Sequence, residues 1–197
     1  MKKLILGLVL NTALAAAFTA PAFAALKVGD TAPDFSAKAS LGGKEFTFSL
    51  KDALKKGPTV VYFYPSAYTG GCDLEAHTFA ENADKFASAG ASIIGVSADN
   101  MERLNTFAAD PNFCAGKFPI ASDESLAVAK SYNLSTTPPR EGAKDVRGVE
   151  IGHGFIERVT YVIGKDRKVI AVMSSKDDKL SPDQHVEKSL AIVTVAK

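Results

Sequence analysis

Only two of the 197 residues are cysteine, Cys72 and Cys114. The first lies in Y-P-S-A-Y-T-G-G-C-D-L-E-A, from Tyr64 to Ala76. An apolar run precedes this stretch and a helical pattern follows it, so Cys72 falls in the first turn of a helix. Unpaired backbone N–H groups point outward there, and the positive end of the helix dipole favours an anion. An ordinary thiol, with a pKa of about 8.5, is only a few per cent thiolate at neutral pH. Helix-start placement and a nearby cation lower that pKa and create a nucleophile. Thr69 can turn its hydroxyl toward the sulfur or toward whatever it attacks. Gly70 and Gly71 remove Cβ bulk, so backbone amides can approach a small substrate. Pro65 fixes the chain leaving the apolar run and shields the sulfur. Asp73 works against this, because its charge raises the thiol pKa unless it points away.

The elements that must position this thiol follow from pattern. Thr59 to Tyr64 is a continuous β-branched and aromatic run, suited to a strand covered on both faces. From Cys72 the apolar residues Phe79, Ala83 and Phe86 recur at helical spacing, and Gly90 ends the segment. Upstream, Leu41-Gly42-Gly43-Lys44 reads as a turn between two short extended pieces, and Ser49 as the N-cap of a short helix ending before Gly57-Pro58. Residues 91–98 form another buried strand and Met101 to Ala109 a helix. Phe118 to Ser122 is a short strand, followed by a helix over 124–132. The stretch 133–157 mixes prolines, glycines and charge without a period and reads as a long surface excursion. Residues 158–163 and 168–173 form a hairpin, and a last helix starts at Pro182 with Val186, Leu190 and Val193 inward. Strands alternating with helices predict an α/β layer sandwich.

The chain begins with Met1-Lys2-Lys3, continues with an apolar run from Leu4 to Phe18 and closes on the A-x-A pattern Ala22-Phe23-Ala24. This reads as a secretory signal peptide over residues 1–24, leaving one mature domain over 25–197. Its removal takes away two lysines and no acidic residue, so the formal charge passes from +1 to −1. A near-neutral balance gives no reason to expect nucleic acid, and no later stretch is apolar enough to span a membrane. Two thiols in an oxidising compartment admit a disulfide, structural or catalytic, and their number does not choose between them.

Pro65, Thr69 and Cys72 match P-x-x-x-T-x-x-C, and further landmarks follow in order. These are V-G-D-T-A-P-D-F near the mature start, Glu75, G-V-S-A-D from Gly95 to Asp99, F-P-I-A-S-D from Phe118 to Asp123, and E-R-V-T-Y-V-I from Glu157 to Ile163. The ordered set resembles the peroxiredoxins of the AhpC/TSA superfamily, in the Q-type or bacterioferritin-comigratory-like branch, and spans nearly the whole mature chain. The resemblance implies a thioredoxin-like fold with a central mixed β-sheet flanked by helices. It implies a thiol peroxidase with Cys72 as the peroxidatic cysteine, whose thiolate attacks the O–O bond and becomes a sulfenic acid. Arg158 matches the active-site arginine that stabilises the thiolate and holds peroxide oxygens. Thr69 is the hydroxyl partner of the reacting oxygen, and the backbone N–H groups of Gly71 and Cys72 are further donors. No cofactor or metal is implied, since sulfur is the redox centre.

In this branch a second cysteine commonly stands five residues after the first, where this chain has His77. Asn112-Phe113-Cys114-Ala115 resembles the alternative context, with the resolving cysteine in the next helix, which implies an intramolecular Cys72–Cys114 disulfide. A one-cysteine cycle using an external thiol is the alternative. So is a non-catalytic thioredoxin-like module with a structural disulfide. A thioredoxin-type reductase of protein disulfides would need C-x-x-C, and the chain has Cys72-Asp73-Leu74-Glu75. The implied partners are hydrogen peroxide or organic hydroperoxides and a thioredoxin-like dithiol reductant. The implied setting is the periplasm, as a monomer or weak homodimer with no membrane attachment after signal cleavage. His77, His153 and His185 lack metal-ligand spacing with the cysteines and are expected in loops or on polar faces.

Overall fold

The computed structural model describes residues 25–195. The expected leader over 1–24 lies outside the described residues. The first elements are an antiparallel pair, β1 (Ser36–Leu41) and β2 (Lys44–Ser49), joined at Gly42-Gly43, where both residues take positive φ. Ser49 then caps α1 (Leu50–Lys56), its hydroxyl accepting the Asp52 N–H at 3.2 Å. The central strand β3 (Thr59–Phe63) is buried along its whole length. Its two-residue period sends Val60 and Tyr62 into one core layer and Val61 and Phe63 into the other.

The chain continues through α2 (Gly70–Ser88), β4 (Ser92–Ser97), α3 (Met101–Ala109), β5 (Ile120–Ser122) and α4 (Ala127–Ser131). The short strands β6 (Thr136–Thr137) and β7 (Phe155–Ile156) follow. The hairpin β8 (Val159–Ile163) and β9 (Val169–Ser174) and the helix α5 (Pro182–Val195) complete the order. Seven strands form one mixed sheet in the order β2-β1-β5-β4-β3-β8-β9, with β3, β4 and β5 parallel and the outer pairs antiparallel. Residues of α2, α3 and α5 fill the core on one face, and those of α1 and α4 the other. This is the thioredoxin-like architecture expected from the sequence. Gly95 of β4 is dictated by packing. A Cβ there would stand 2.6 Å from the ring of Tyr62, its register partner, which stacks on Tyr64 and Phe79.

Three expectations change. The helix predicted over 124–132 shortens to α4, because Leu126 is left-handed at φ 58° and the Asp123 carboxylate takes the N–H groups of Val128 and Ala129. Residues 133–157 keep an exposed middle, but β6 pairs with β7, and Asp145 and Ile151 are buried. Cys114 lies not in a helix but in the turns that follow α3. Among the described residues no helix is long and apolar enough to cross a membrane.

Candidate active site

The chain leaves β3 and turns through 64–69 into α2. Pro65 is half-buried, while Ser66 and Ala67 are fully buried. Tyr68 adopts φ 59°, uncommon for a bulky residue. Its ring lies edge-on to Phe107 and Phe113, and the Arg147 guanidinium sits 3.3 Å from its centroid. Thr69 stands at the N-cap of α2, but its hydroxyl donates to the Ser66 carbonyl at 2.8 Å and leaves the first turn without a side-chain cap. Cys72, the third residue of α2, thus lies in this uncapped first turn, at the positive end of the helix dipole.

Arg158, just before β8, brings Nη2 to 3.1 Å from Cys72 Sγ, while its Nη1 donates to Glu75 Oε2 one turn along α2. Cys72 is 2% exposed and Glu75 fully buried. The two glycines before the sulfur differ in purpose. A Cβ on Gly71 would meet Arg158 Nη2 at 3.3 Å and Pro182 at 3.4 Å, so this position must stay small for the guanidinium to reach the sulfur. At Gly70 the space is open. The Cys72 N–H, expected as an oxyanion donor, already donates to the Thr69 carbonyl at 2.7 Å.

The electrostatics revise one expectation. Burial pushes the Cys72 thiol up, against the pull of Arg158 and smaller pulls from Thr69 and the Ser66 backbone, and burial outweighs them. Burial also raises the Glu75 carboxyl, to about 7, against the same guanidinium. Arg158 loses something to burial but is held above its ordinary value by Glu75 and Cys72, so the cation is permanent and the carboxyl is the titratable partner. Asp73 is not among the main influences on Cys72. It is half-buried, raised to about 6 by burial, and its Oδ1 has no hydrogen-bond partner among the described residues. Its charge bears instead on Cys114, which is fully buried and held well above the ordinary thiol range by burial, Asp110 and Asp73. The same face of α2 carries His77, whose Nδ1 lies 3.0 Å from the Asn112 carbonyl, so this face packs on the turn that holds Cys114. Both cysteines are free thiols within one apolar cluster.

His185 contradicts the sequence reading, and His153 keeps its expected place in the 133–157 segment but not its expected solvation. His185 is fully buried rather than on a polar face, because Thr160 and Ser175 place hydroxyls at 2.9 and 3.0 Å from its ring nitrogens. Burial and the Arg158 charge push it down to about 4, so it is neutral near physiological pH. His153 is part-buried against Asp99, at 2.7 Å, and not a solvated loop residue. Glu75 was visible only as a motif landmark, and Asp99 and His153 gave no local signal of their partnership.

Beside the sulfur loop a cleft of about 420 Å³ is lined by Pro65, Thr69, Arg140, Lys144, Ile151 and Phe155, among others. Of the residues predicted to act together, Thr69, Gly71, Cys72 and Arg158 converge and Pro65 adjoins them. Cys114 is buried in the turns after α3, in the same apolar cluster as Cys72.

Residues 28–172 match the model of the AhpC/TSA family. A putative peroxiredoxin of Mycobacterium tuberculosis is 34% identical over 166 residues, covering 84% of this chain and 95% of the relative. Peroxiredoxin Bcp of Escherichia coli is 31% identical over 160 residues, covering 81% and 91%. The crystal structure of peroxidoxin BcpB from Mycobacterium tuberculosis superposes with a TM-score of 0.70 at 31% identity, covering 87% of this chain and 99% of that one.

Proposed function

The chain belongs to the AhpC/TSA family, in the peroxiredoxin Q and Bcp branch, and from this premise we propose that it reduces peroxides through Cys72 with Cys114 as the resolving thiol. It is a thiol-dependent peroxidase. The observation that carries the assignment of Cys72 is the guanidinium of Arg158, held 3.1 Å from the sulfur and fixed from behind by buried Glu75. The guanidinium offsets part of the burial that disfavours the thiolate, and it presents donors to the oxygens of an incoming peroxide. In the first step the Cys72 thiolate attacks one peroxide oxygen. The O–O bond breaks, sulfur is oxidised by two electrons to the sulfenic acid, and the other oxygen takes up a proton and leaves as water or an alcohol. Thr69 and the exposed backbone of Gly71 border the path of the reacting oxygens.

In the second step the Cys114 thiol loses its proton and its sulfur attacks Cys72. An S–S bond forms, the S–O bond breaks and water leaves. A disulfide needs Cα atoms within about 7 Å, and Cys72 is tied into the first turn of α2 by its bond to the Thr69 carbonyl. In this reading that turn, or the turns around Cys114, opens to bring the two sulfurs together. A thioredoxin-like dithiol then restores both thiols by exchange. One equivalent of hydrogen peroxide added to the reduced protein should consume both thiols and give an internal disulfide by mass spectrometry. The Cys114→Ser variant should stop at a dimedone-reactive sulfenic acid. A wild-type protein that stops there too, with Cys114 still free, would remove the resolving role. Two unreacted thiols would overturn the assignment of Cys72.

Export belongs to the same reading, supported by the charged start, apolar middle and A-x-A exit of residues 1–24. The mature chain should begin at Ala25, in the periplasm of a two-membrane cell. N-terminal sequencing of the protein recovered from that fraction checks this, and an intact Met1 start would refute it.

A further inference from the structure

We infer that His153, as the imidazolium, is a positioning residue for the loop that carries the peroxidatic cysteine. The nearest partner of each ring nitrogen can only accept, and the Ser66 hydroxyl, 3.4 Å from Nε2, gives its proton to Asp99 Oδ1 at 2.8 Å. Nδ1 lies 2.7 Å from the Gly154 carbonyl and Nε2 lies 2.7 Å from Asp99 Oδ1. A neutral imidazole carries one N–H and satisfies one of them, while the cation satisfies both. Asp99 is fully buried, and its other contacts run to the loop, to Ser97 of β4 and to Arg103, whose Nε lies 2.9 Å from Oδ1. Oδ1 takes the Ser66 hydroxyl at 2.8 Å, and Oδ2 takes the Ala67 N–H at 2.8 Å and the Ser97 hydroxyl at 2.7 Å.

From there the chain of contacts reaches the sulfur. The Ser66 carbonyl receives the Thr69 hydroxyl, the Ser66 backbone acts on the Cys72 thiol, and the Thr69 carbonyl receives the Cys72 N–H. The segment 133–157 grips the same loop at three more points. Val146 N–H donates to the Tyr68 carbonyl at 3.0 Å, Arg147 covers the Tyr68 ring, and Asp145 joins Arg103, which donates to the Ala67 carbonyl at 2.9 Å. The segment is thus a strap over the loop, and His153 is a contact of it whose charge is lost as pH rises through its raised pKa.

The charged groups around the imidazole come from four places. Asp99 follows β4, Glu102 and Arg103 stand on α3, Glu124 precedes α4, and Asp145, Arg147 and Glu150 belong to its own segment. Burial pulls the imidazole down, but the bond and charge of Asp99 outweigh it and leave His153 above its ordinary 6.5. Burial raises Asp99 in turn, and His153 and the loop N–H more than reverse that, so it stays ionised. The sign follows. The clamp is complete below the raised His153 pKa and is lost as pH rises through it, while the thiolate fraction of Cys72 rises over the same span.

This inference rests on Cys72 being the peroxidatic residue, but its test has an arm that does not. The first arm is the rate constant for Cys72 oxidation by hydrogen peroxide, measured by competition from mildly acidic to mildly alkaline pH. His153→Leu should lose about tenfold on the acidic side, the scale of a small misplacement of a reacting group, and converge on the wild type at alkaline pH. His153→Gln, which keeps a neutral donor toward Asp99, should recover most of that loss and erase the difference between the limbs. The second arm is hydrogen exchange at the Ala67 amide, read without peroxide. It should quicken in His153→Leu, and in the wild type as pH rises beyond the intrinsic trend. Wild-type protein inert to peroxide with these exchange shifts would defeat the peroxidase reading and leave the clamp standing. Exchange and pH profiles unchanged in both variants would overturn the clamp, and if His153→Leu fails to fold, the Gln variant alone decides.

Discussion

The Cys72→Ser variant is expected to consume no peroxide above background with any reductant, a loss of at least about a thousandfold in keeping with removal of a covalent nucleophile. A serine hydroxyl fills nearly the same volume and still accepts from Arg158, so the buried site should close around it as it does around the thiol. Oxygen is neither nucleophilic enough at neutral pH nor able to accept the peroxide oxygen and store it. The loss should therefore appear without a change in melting temperature, and that combination separates chemistry from unfolding. Cys114→Ser makes the necessary contrast. It leaves the first oxidation step intact and removes internal resolution, so turnover with a dithiol protein reductant should fall while turnover with a small monothiol persists. Peroxide consumption measured across both variants and both reductants yields four results, and full activity in Cys72→Ser would overturn the mechanism.

Arg158→Met should have the next largest effect, on two quantities. Kinetically, it removes the donor 3.1 Å from the sulfur, and the oxidation rate constant should fall by about 10²–10³, the scale for loss of one preorganised charge-stabilising donor. The thiol is already raised by burial, and without its cation it should titrate higher still. Thermodynamically, the change strands Glu75, which is fully buried beside a guanidinium whose side chain is only 10% exposed. Removing one member of a buried pair costs about 3–5 kcal/mol. The double variant Arg158→Met/Glu75→Gln tells the two apart. It should regain most of the melting temperature, because no charge is stranded, and none of the rate. Recovery of the rate in the double variant would reduce Arg158 to a structural residue. Arg158→Lys should stay impaired as well, since one ammonium cannot address sulfur and carboxylate along two directions as the planar fork does.

Features that depend on neighbours in sequence were legible before any coordinates. The β3 run, the Ser49 cap, the glycine turn before β2, α3 and the start of α5 at Pro182 each carry a local cause, and each stands where that cause puts it. The site was legible in part, because Pro65, Thr69, Gly71 and Cys72 lie within one short stretch. Arg158 is 86 positions from Cys72 and came from resemblance alone. The strap over 133–157 was not legible, since hydrophobic periodicity is blind to charge pairs. Its anchors join Arg103 to Asp145 across 42 positions and Asp99 to His153 across 54. His185 misled for a related reason. Its two hydroxyl partners come from β8 and from just beyond β9, so a residue that reads as polar surface is a satisfied core residue. Burial also decided the sign at Cys72, where helix-start placement alone argues for a depressed thiol.

The depth of the two thiols has a practical consequence. Cys72 is 2% exposed and Cys114 0%, so a bulky alkylating reagent reaches neither sulfur in the closed fold. The rate of irreversible labelling then equals the intrinsic thiol rate scaled by the fraction of time each site stands open. With Cys114→Ser and Cys72→Ser as single-thiol reporters, the chain contains two native stopwatches in different segments. If they run at one rate, the two regions breathe as a unit. If they run at different rates, each has its own opening free energy, obtained without attaching any probe.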